Sequence, residues 1–323
     1  MRRYPIKFVP ITKYRIWGGD KLNRVVPEKL QMDRLGEIWS ISGVEGDLSV
    51  VENGELKGRN LKEILEEYKE KLVGKEVWEK FGNEFPLLIK FIDAADDLSV
   101  QVHPNDELAQ KKHNSFGKSE MWYIMEAEKN AALTIGLKEG ITKNDYQEHL
   151  TAENLEKILN QVKVQKGDAV YIPAGRVHAI GAGIVLAEIQ QTSDITYRIY
   201  DYNRIDKDGK KRELHTESAL EAIDFKPIGK PIRDYDKTEN RFNPLIRSPY
   251  FETRIFTGNQ EIQIKNNNEM RIYCCVGGKS VFWNEDNPTE LMKFQSLMIP
   301  ANLHAYKIIP ENNCVLLEVR MPQ

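Results

Sequence analysis

Residues 85–106 read FPLLIKFIDAADDLSVQVHPND, an apolar run followed by a short segment in which polar and apolar side chains alternate. Side chains of a β-strand point alternately to its two faces, so Gln101 and His103 are predicted to share one face. Val100 and Val102 then share the other face, and the Pro-Asn-Asp sequence that follows ends the strand. A half-buried edge strand with a polar outer face would show the same pattern, so the rest of the chain has to distinguish an edge from a site.

Short runs of β-branched and aromatic residues, separated by turn residues, recur along the chain and are typical of β-strands. They include EIWSISG, MWYIMEA, AALTIGL, AVYIPAG, IVLAEIQQ and TYRIYDY. Helical insertions are predicted near 60–82 and 142–161, the second as two helices beginning at Thr142 and Thr151. A further short helix is expected after Thr216. The predicted fold class is therefore mainly β with helical insertions.

An internal similarity predicts two domains. GDAVYIPAGRVHAI (167–180) and QSLMIPANLHAYKI (295–308) share the order strand, Ile-Pro-Ala, turn, histidine, strand. The simplest account is two related β-barrels, a catalytic domain over 1–235 and a second domain over 236–323. The second copy offers His304 without a Gln-x-His strand, so we expect it to be non-catalytic.

Composition narrows the class of protein. The chain has 323 residues, of which 41% are hydrophobic and 29% charged, with a formal net charge of −3. This is typical of a soluble globular protein. Lysine and arginine are scattered, which gives no indication of a nucleic-acid or membrane partner. Without an apolar leader or membrane span, and with three cysteines that show no metal-binding spacing, a cytoplasmic protein is expected.

Three segments offer ligands for a divalent metal ion. The first supplies Gln101 and His103, the second places Lys118 and Glu120 two apart on a strand, and the third supplies His178 after a Pro-Ala-Gly turn. Two imidazoles, a carboxylate and an amide oxygen suit a metal of the zinc, manganese or iron class. Taken singly, His178 could instead be a histidine of a turn, and Glu120 could be a solvated carboxylate on an edge strand.

A fourth segment, LAEIQQTSDITYRIYDYNR, places Glu188 and Gln190 on one face of a strand, with Asp194 and Arg198 following. A carboxylate and a guanidinium beside a metal suit a reaction that moves protons on an anionic, carbonyl-bearing substrate. The arginine could hold a phosphate or a developing enediolate through paired N–H donors. A surface Asp–Arg pair on a hairpin is the alternative.

These segments together resemble type I mannose-6-phosphate isomerase (phosphomannose isomerase), in its short bacterial form built from cupin (jelly-roll) barrels. The resemblance runs in the family order over roughly residues 5 to 225. It is carried by GEIWSIS (36–42), FPLLIKFIDAADDLSVQVHPND (85–106), GKSEMWYI (117–124), IPAGRVHAIGAG (172–183) and EIQQTSDITYRIYDYNR (188–204).

The resemblance implies a role for each matching residue. The metal, usually zinc in the family, would be held by His103, Glu120 and His178, with Gln101 as a fourth ligand or close neighbour. Arg198 matches the catalytic arginine, and the polar pocket residues are Lys118, Glu188, Asp194 and Ser99. Family members commonly carry proline where this chain has Ser119, a difference expected to alter turn stiffness more than chemistry.

The reaction implied is the interconversion of mannose 6-phosphate and fructose 6-phosphate through an enediol-type intermediate. Glu188, Asp194 and Lys118 are alternative proton-transfer groups, and a metal relay is a further one. Arg204 and Arg198 are candidates for the phosphate, and a monomer is plausible.

Two other classes remain as alternatives, a cupin metal oxygenase and a sugar-binding cupin without turnover. The first needs no phosphate-holding arginine, and the second would be favoured if Arg198 or Glu188 were displaced. The remaining histidines, namely His113, His149, His215 and His304, are expected to be structural.

Overall fold

A computed structural model describes residues 3–151, 153–285 and 287–322. The helices are α1 Leu61–Tyr68, α2 Glu70–Val73, α3 Lys75–Phe81, α4 Asp106–His113, α5 Lys143–Thr151 and α6 Thr216–Ala222. The strands are β1 Ile6–Lys7, β2 Ile11–Gly19, β3 Leu35–Ser42, β4 Leu87–Ala94, β5 Val100–Val102, β6 Glu120–Ala127, β7 Ala132–Leu137, β8 Leu159–Lys163, β9 Ala169–Ile172, β10 His178–Ile180, β11 Ile184–Gln191, β12 Tyr197–Tyr200, β13 Phe242–Arg247, β14 Glu252–Gly258, β15 Ile262–Lys265, β16 Arg271–Asn284, β17 Asn287–Met292, β18 Gln295–Ile299 and β19 Ala305–Arg320. None of these helices is long and apolar enough to cross a bilayer.

The chain divides into two compact units. The terminal unit comprises Met1–Thr12, Ile38–Phe91 and Asp234–Gln323, and the middle unit comprises Lys13–Glu37 and Ile92–Arg233. Helices α1 to α3 therefore belong to the same compact unit as the C-terminal strands. A functional division into a catalytic domain over 1–235 and a non-catalytic domain over 236–323 stays a prediction.

Two sheets build the middle unit. One has the order β12-β5-β10-β7-β8, and the other has the order β2-β3-β4-β11-β6-β9, in which β2, β3 and β4 take part in this unit through residues 13–19, 35–37 and 92–94. Buried apolar side chains from both sheets form one core, which includes Trp122, Leu133, Ile180 and Leu186. Side chains of a strand alternate between its two faces, so residues two apart share a face. On each strand, every second side chain therefore points into the space between the sheets.

Strand β5 shows the predicted alternation. Val100 and Val102 pack into a second core with Tyr146 of α5 and Ala219 of α6, on the helix-covered face of the sheet. Gln101 therefore points to the opposite face, towards the space between the sheets. Burial of both valines decides the orientation of the strand, and its pairing with β12 on one side and β10 on the other shows that it is not an edge strand.

The terminal unit carries its own sheet, ordered β1-β18-β16-β19-β14-β13, with β15 paired to β19 and β17 paired to β16. Its core includes Phe256, Tyr273, Phe282 and Leu316. Buried Glu318 accepts hydrogen bonds from Tyr273 Oη (2.8 Å) and from Arg271 (3.1 Å). The repeated segment around residues 295–308 forms β18 and the start of β19, as predicted, and His304 lies exposed between these two strands.

The helical predictions are confirmed in three places and wrong in one. Residues 60–82 contain α1 to α3, α5 begins after Thr142, and α6 begins at Thr216. The second helix predicted from Thr151 is absent from the described part of 142–161, where a 3-10 turn at Leu155–Ile158 leads into β8. The described strands form three open sheets and no closed barrel, so the mainly β fold class is confirmed without the barrels.

Candidate metal centre and active site

A row of polar side chains crosses three neighbouring strands of the first sheet. His178 on β10 lies directly opposite Gln101 on β5, and Gln101 lies opposite Arg198 on β12. Directly opposed residues of antiparallel strands share a face, so these three side chains project into the space between the sheets. His103 follows β5 two residues after Gln101 and is almost fully buried.

Glu120 comes from the facing sheet and meets the two histidines. Its carboxylate oxygens lie 3.6 Å from His103 Nε2 and 3.4 Å from His178 Nε2, and all three side chains are buried. One ligand atom from each residue falls within 4.8 Å of the others. Among the described residues, this is the group of His, Cys, Asp or Glu side chains that has metal-binding geometry.

The hydrogen bonds of the two imidazoles favour a cation between these groups. His103 Nδ1 donates to the carbonyl of Ile195 (2.8 Å), and His178 Nδ1 donates to the carbonyl of Arg176 (2.7 Å). In a neutral imidazole this leaves the lone pair on Nε2, facing a carboxylate oxygen that is also an acceptor. Burial lowers the pKa of His178 to about 4, so its ring is neutral at pH 7. Two imidazole nitrogens and a carboxylate therefore fit a divalent metal ion. Histidines that bind metals usually donate the other ring N–H in this way, for example to a backbone carbonyl.

Gln101 is placed to complete this donor set. Its amide nitrogen lies 3.3 Å from His178 Nε2. Rotation of the amide by 180° would present its oxygen to the same position, as a metal ligand requires. The structure thus brings together all four predicted metal ligands.

Lys118 and Glu188 lie beside the candidate ligands. Lys118 is buried, and its Nζ is 3.1 Å from Glu120 Oε2. Burial alone would lower the pKa of Lys118. The carboxylates of Glu120 and Glu188 raise this pKa by more than burial lowers it, so the net shift is upward. Glu188 is buried on β11 and accepts a hydrogen bond from Trp122 Nε1 at 2.9 Å. Trp122 is a core residue, and its indole N–H fixes the Glu188 carboxylate.

A group of arginines extends the row beyond Arg198. Buried Asp201 accepts hydrogen bonds from both Arg204 and Arg212, including one of 2.8 Å from Arg212 Nε. Burial lowers the pKa of Arg198, and the positive charge of Arg212 lowers it further. Three guanidinium groups and one carboxylate give this group a net charge of +2. The sequence had indicated Arg198 and Arg204, whereas Arg212 and Asp201 were missed because eleven residues separate them in a turn-rich segment.

The remaining polar residues of the predicted segments differ in their exposure to solvent. Ser99 is buried directly before β5. Asp194 is exposed in the loop between β11 and β12, where its carbonyl accepts a hydrogen bond from Thr196. Gln190 lies opposite Glu120 in register and is fully buried, and its Oε1 has no hydrogen-bond partner among the described residues. His113, predicted to be structural, makes a 2.8 Å hydrogen bond to the hydroxyl of Tyr197.

Comparison with known proteins agrees with this geometry. Residues 7–149 match the model of the phosphomannose isomerase type I catalytic domain. The chain is 35% identical over 324 residues to mannose-6-phosphate isomerase ManA of Bacillus subtilis (strain 168), covering 98% of this chain and 99% of that protein. The chain belongs to the type I phosphomannose isomerase family.

Two further relatives support the assignment to type I phosphomannose isomerases. A mannose-6-phosphate isomerase of Streptococcus mutans is 40% identical over 221 residues, which is 67% of this chain and 66% of that protein. The crystal structure of the Bacillus subtilis mannose 6-phosphate isomerase superimposes with a TM-score of 0.89 and 30% identity, covering 99% of this chain and all of that one. The resemblance inferred from the motifs is thereby confirmed.

Proposed function

We propose that the protein interconverts mannose 6-phosphate and fructose 6-phosphate in the space between the two sheets of the middle unit. The observation that carries this proposal is the buried group of His103, Glu120 and His178 with Arg198 in the adjoining row. Family membership supports the same reaction. An aldose–ketose isomerase has to open the sugar ring, move a proton between C1 and C2, and stabilise the negative charge that develops on O1 and O2.

His103, Glu120, His178 and Gln101 are the proposed ligands of one divalent metal ion, and the ligand types suit zinc. When bound, such an ion supplies Lewis-acid stabilisation of developing oxyanion charge. Lys118 neutralises part of the carboxylate charge of Glu120 and keeps that side chain in one orientation. Each histidine is held by a backbone carbonyl, so the rings are oriented before any ion binds.

The arginine group is the proposed phosphate site, and Arg198, which lies beside Gln101 in the row that includes His178, is also proposed to stabilise the charge that develops on the reacting oxygens. The phosphate of a sugar phosphate carries close to two negative charges at pH 7, which the net charge of +2 on Arg198, Arg204, Arg212 and Asp201 complements. Guanidinium groups bind phosphate oxygens through paired N–H donors, and the buried Nε atoms of Arg198 and Arg204 have no hydrogen-bond partner among the described residues. Asp201 holds two of the guanidinium groups in place, which lowers the entropic cost of binding.

Glu188 is the proposed proton carrier between C1 and C2. It is buried on the same strand face as Gln190, opposite Trp122, and is fixed by the indole N–H. Asp194, the alternative carboxylate, is exposed to solvent and is less suited to this role. Lys118, whose pKa is raised, suits proton donation during ring opening more than proton abstraction. Ser99, buried at the entrance to β5, is proposed to contact the substrate.

The finer structural and cellular assignments belong to the same proposal. We propose that both units are cupin-like, with the terminal one non-catalytic, and that the protein is a cytoplasmic monomer. The three described cysteines are free and buried, in keeping with a reducing compartment.

The test is a coupled assay for fructose 6-phosphate formed from mannose 6-phosphate by the full-length protein, run beside unphosphorylated mannose. Turnover that depends on the phosphate is expected. Folded protein that binds the sugar phosphate without turning it over would instead support the sugar-binding alternative and overturn the isomerase proposal.

A further inference from the structure

Ser119 stands between Lys118 and Glu120 and uses three of its polar groups. Its N–H donates to Gln191 Oε1 (2.9 Å), its hydroxyl accepts from the N–H of Ala174 (3.1 Å), and its carbonyl accepts from the N–H of Gln191 (3.2 Å). Its side chain is 1% exposed. The residue directly before Glu120 is therefore anchored on two sides.

The Ala174 contact leads to both histidines. Ala174 lies in the turn that the Arg176 N–H closes on the carbonyl of Pro173 (3.1 Å). In the same turn, the N–H of Gly175 donates to the carbonyl of His103 (2.9 Å), and the carbonyl of Arg176 accepts from His178 Nδ1. One tight turn thus contacts the segments that carry all three proposed ligands, and Ser119 is its link to Glu120.

The Gln191 contact is itself fixed. Gln191 Nε2 donates to Asp106 Oδ1 (2.9 Å), which also accepts from the N–H of Gly117 (2.9 Å). The opposite end of the amide then points at the Ser119 N–H without freedom to rotate. Gln191 is buried, so losing either bond would leave a polar group unsatisfied in the interior.

We propose that Ser119 and Gln191 are positioning residues, which set the Glu120 carboxylate relative to the two histidines and so determine metal affinity. Proline at position 119 would lack both the N–H and the hydroxyl, so it could form neither of these bonds. The serine therefore does more than alter turn stiffness, which is the effect expected from the sequence. This inference rests on the proposed metal site but not on the proposed isomerase activity.

The experiment measures Co²⁺ binding to metal-free, full-length protein by competition with a chromophoric chelator, together with the visible absorption spectrum of the bound ion. The variants are Ser119→Ala, Ser119→Pro and Gln191→Met. The matched control is Thr134→Val, which removes a buried hydroxyl from β7 in the same unit, where Thr134 accepts from Gln161. Removing a residue that supports a metal ligand typically weakens binding by about 10- to 100-fold.

We expect Ser119→Pro and Gln191→Met to weaken Co²⁺ binding by about 10-fold or more and to change the absorption bands, with Ser119→Ala intermediate. The Thr134→Val control should keep both the affinity and the spectrum. Unchanged affinity and spectrum in Ser119→Ala and Gln191→Met, or an equal loss in the control, would overturn the inference. If the unsubstituted protein itself bound no Co²⁺, the proposed metal site would fail instead.

Discussion

At the scale of single residues, the candidate centre depends on a conflict that the fold imposes on Glu120. Its two oxygens face the Nε2 atoms of two imidazoles whose Nδ1 protons are donated to backbone carbonyls, and Lys118 Nζ lies 3.1 Å from one of these oxygens. Burial of all these groups removes the water that would otherwise relieve the repulsion. A divalent cation satisfies the three acceptors at once, which is the physical basis for the proposed site.

His103→Ala should remove one ligand and release the metal. We expect the metal content of the purified protein to fall to a small fraction and turnover to drop by at least about 100-fold, beyond the effect typical of a residue that only supports a ligand. Elemental analysis and the coupled assay on the same sample measure both. His304→Ala, an exposed histidine of the terminal unit, is the control and should retain metal and activity. Full metal content in His103→Ala would contradict the ligand assignment.

Arg198→Lys should lower kcat more than it raises KM. Lysine keeps the positive charge but lacks the planar fork of donors, so it stabilises a developing enediolate less well. Loss of one such donor typically costs about 10²- to 10³-fold in kcat. Steady-state kinetics with mannose 6-phosphate are the measurement, and metal content should stay unchanged. An unaltered kcat would show that Arg198 does not act on the reacting atoms.

At the scale of elements, the strands were easier to predict than the loops between them. Alternation in 98–103 correctly placed Gln101 and His103, because burial of Val100 and Val102 leaves the strand one orientation. The helix predicted from Thr151 failed because Glu153 adopts a left-handed conformation (φ 52°) and because β8 pairs with β7. Side-chain periodicity does not carry information about such a long-range pairing.

The same difference holds for the site, in which the residues on strands were predictable and the residues brought together by loops were not. The four proposed ligands follow from the spacing of strand residues and from the family resemblance. Arg212 and Asp201 do not, since Tyr202 and Asn203 reverse the chain with positive φ values and bring together residues that no sequence period relates. The role of Ser119 is equally hidden, because its partners Ala174 and Gln191 are far away in the sequence.

Arg212→Gln should weaken phosphate recognition without altering the metal site. We expect KM for mannose 6-phosphate to rise by about 10-fold, because one charge-assisted contact of the group is lost, at roughly 1.5 kcal/mol. The dissociation constant of inorganic phosphate as a competitive inhibitor should rise in parallel. Arg233→Gln, an exposed arginine of the same unit, is the matched control. A KM equal to that of the unsubstituted protein would exclude Arg212 from the phosphate site.

At the scale of the whole molecule, the described ligand set lies within one of the two compact units. Strands β5, β6 and β10 of the middle unit carry or adjoin the ligands, whereas β14, β16 and β19 belong to the terminal unit. Ligand binding stabilises the state that binds, by about 2.7 kcal/mol when the free ligand is at 100 times its dissociation constant. Metal binding should therefore stabilise the middle unit more than the terminal unit.

Amide hydrogen exchange, measured before and after the metal is removed by chelation, tests whether the middle unit is stabilised more than the terminal unit. We expect amides of β5, β6 and β10 to exchange faster once the metal is removed, because local opening no longer has to break the ligand set. Strands β14, β16 and β19 serve as the internal reference and should change little. Faster exchange confined to the terminal unit would place the metal elsewhere.

The most direct test titrates metal-free protein with Zn²⁺ while recording bound metal and the rate of fructose 6-phosphate formation in the same samples. The account predicts no turnover without metal, and a rate that rises in proportion to bound Zn²⁺ up to about one ion per chain. In His103→Ala, the same titration should show neither high-affinity binding nor turnover. Full activity in the rigorously metal-free protein, or stoichiometric Zn²⁺ binding with no isomerisation, would contradict the account.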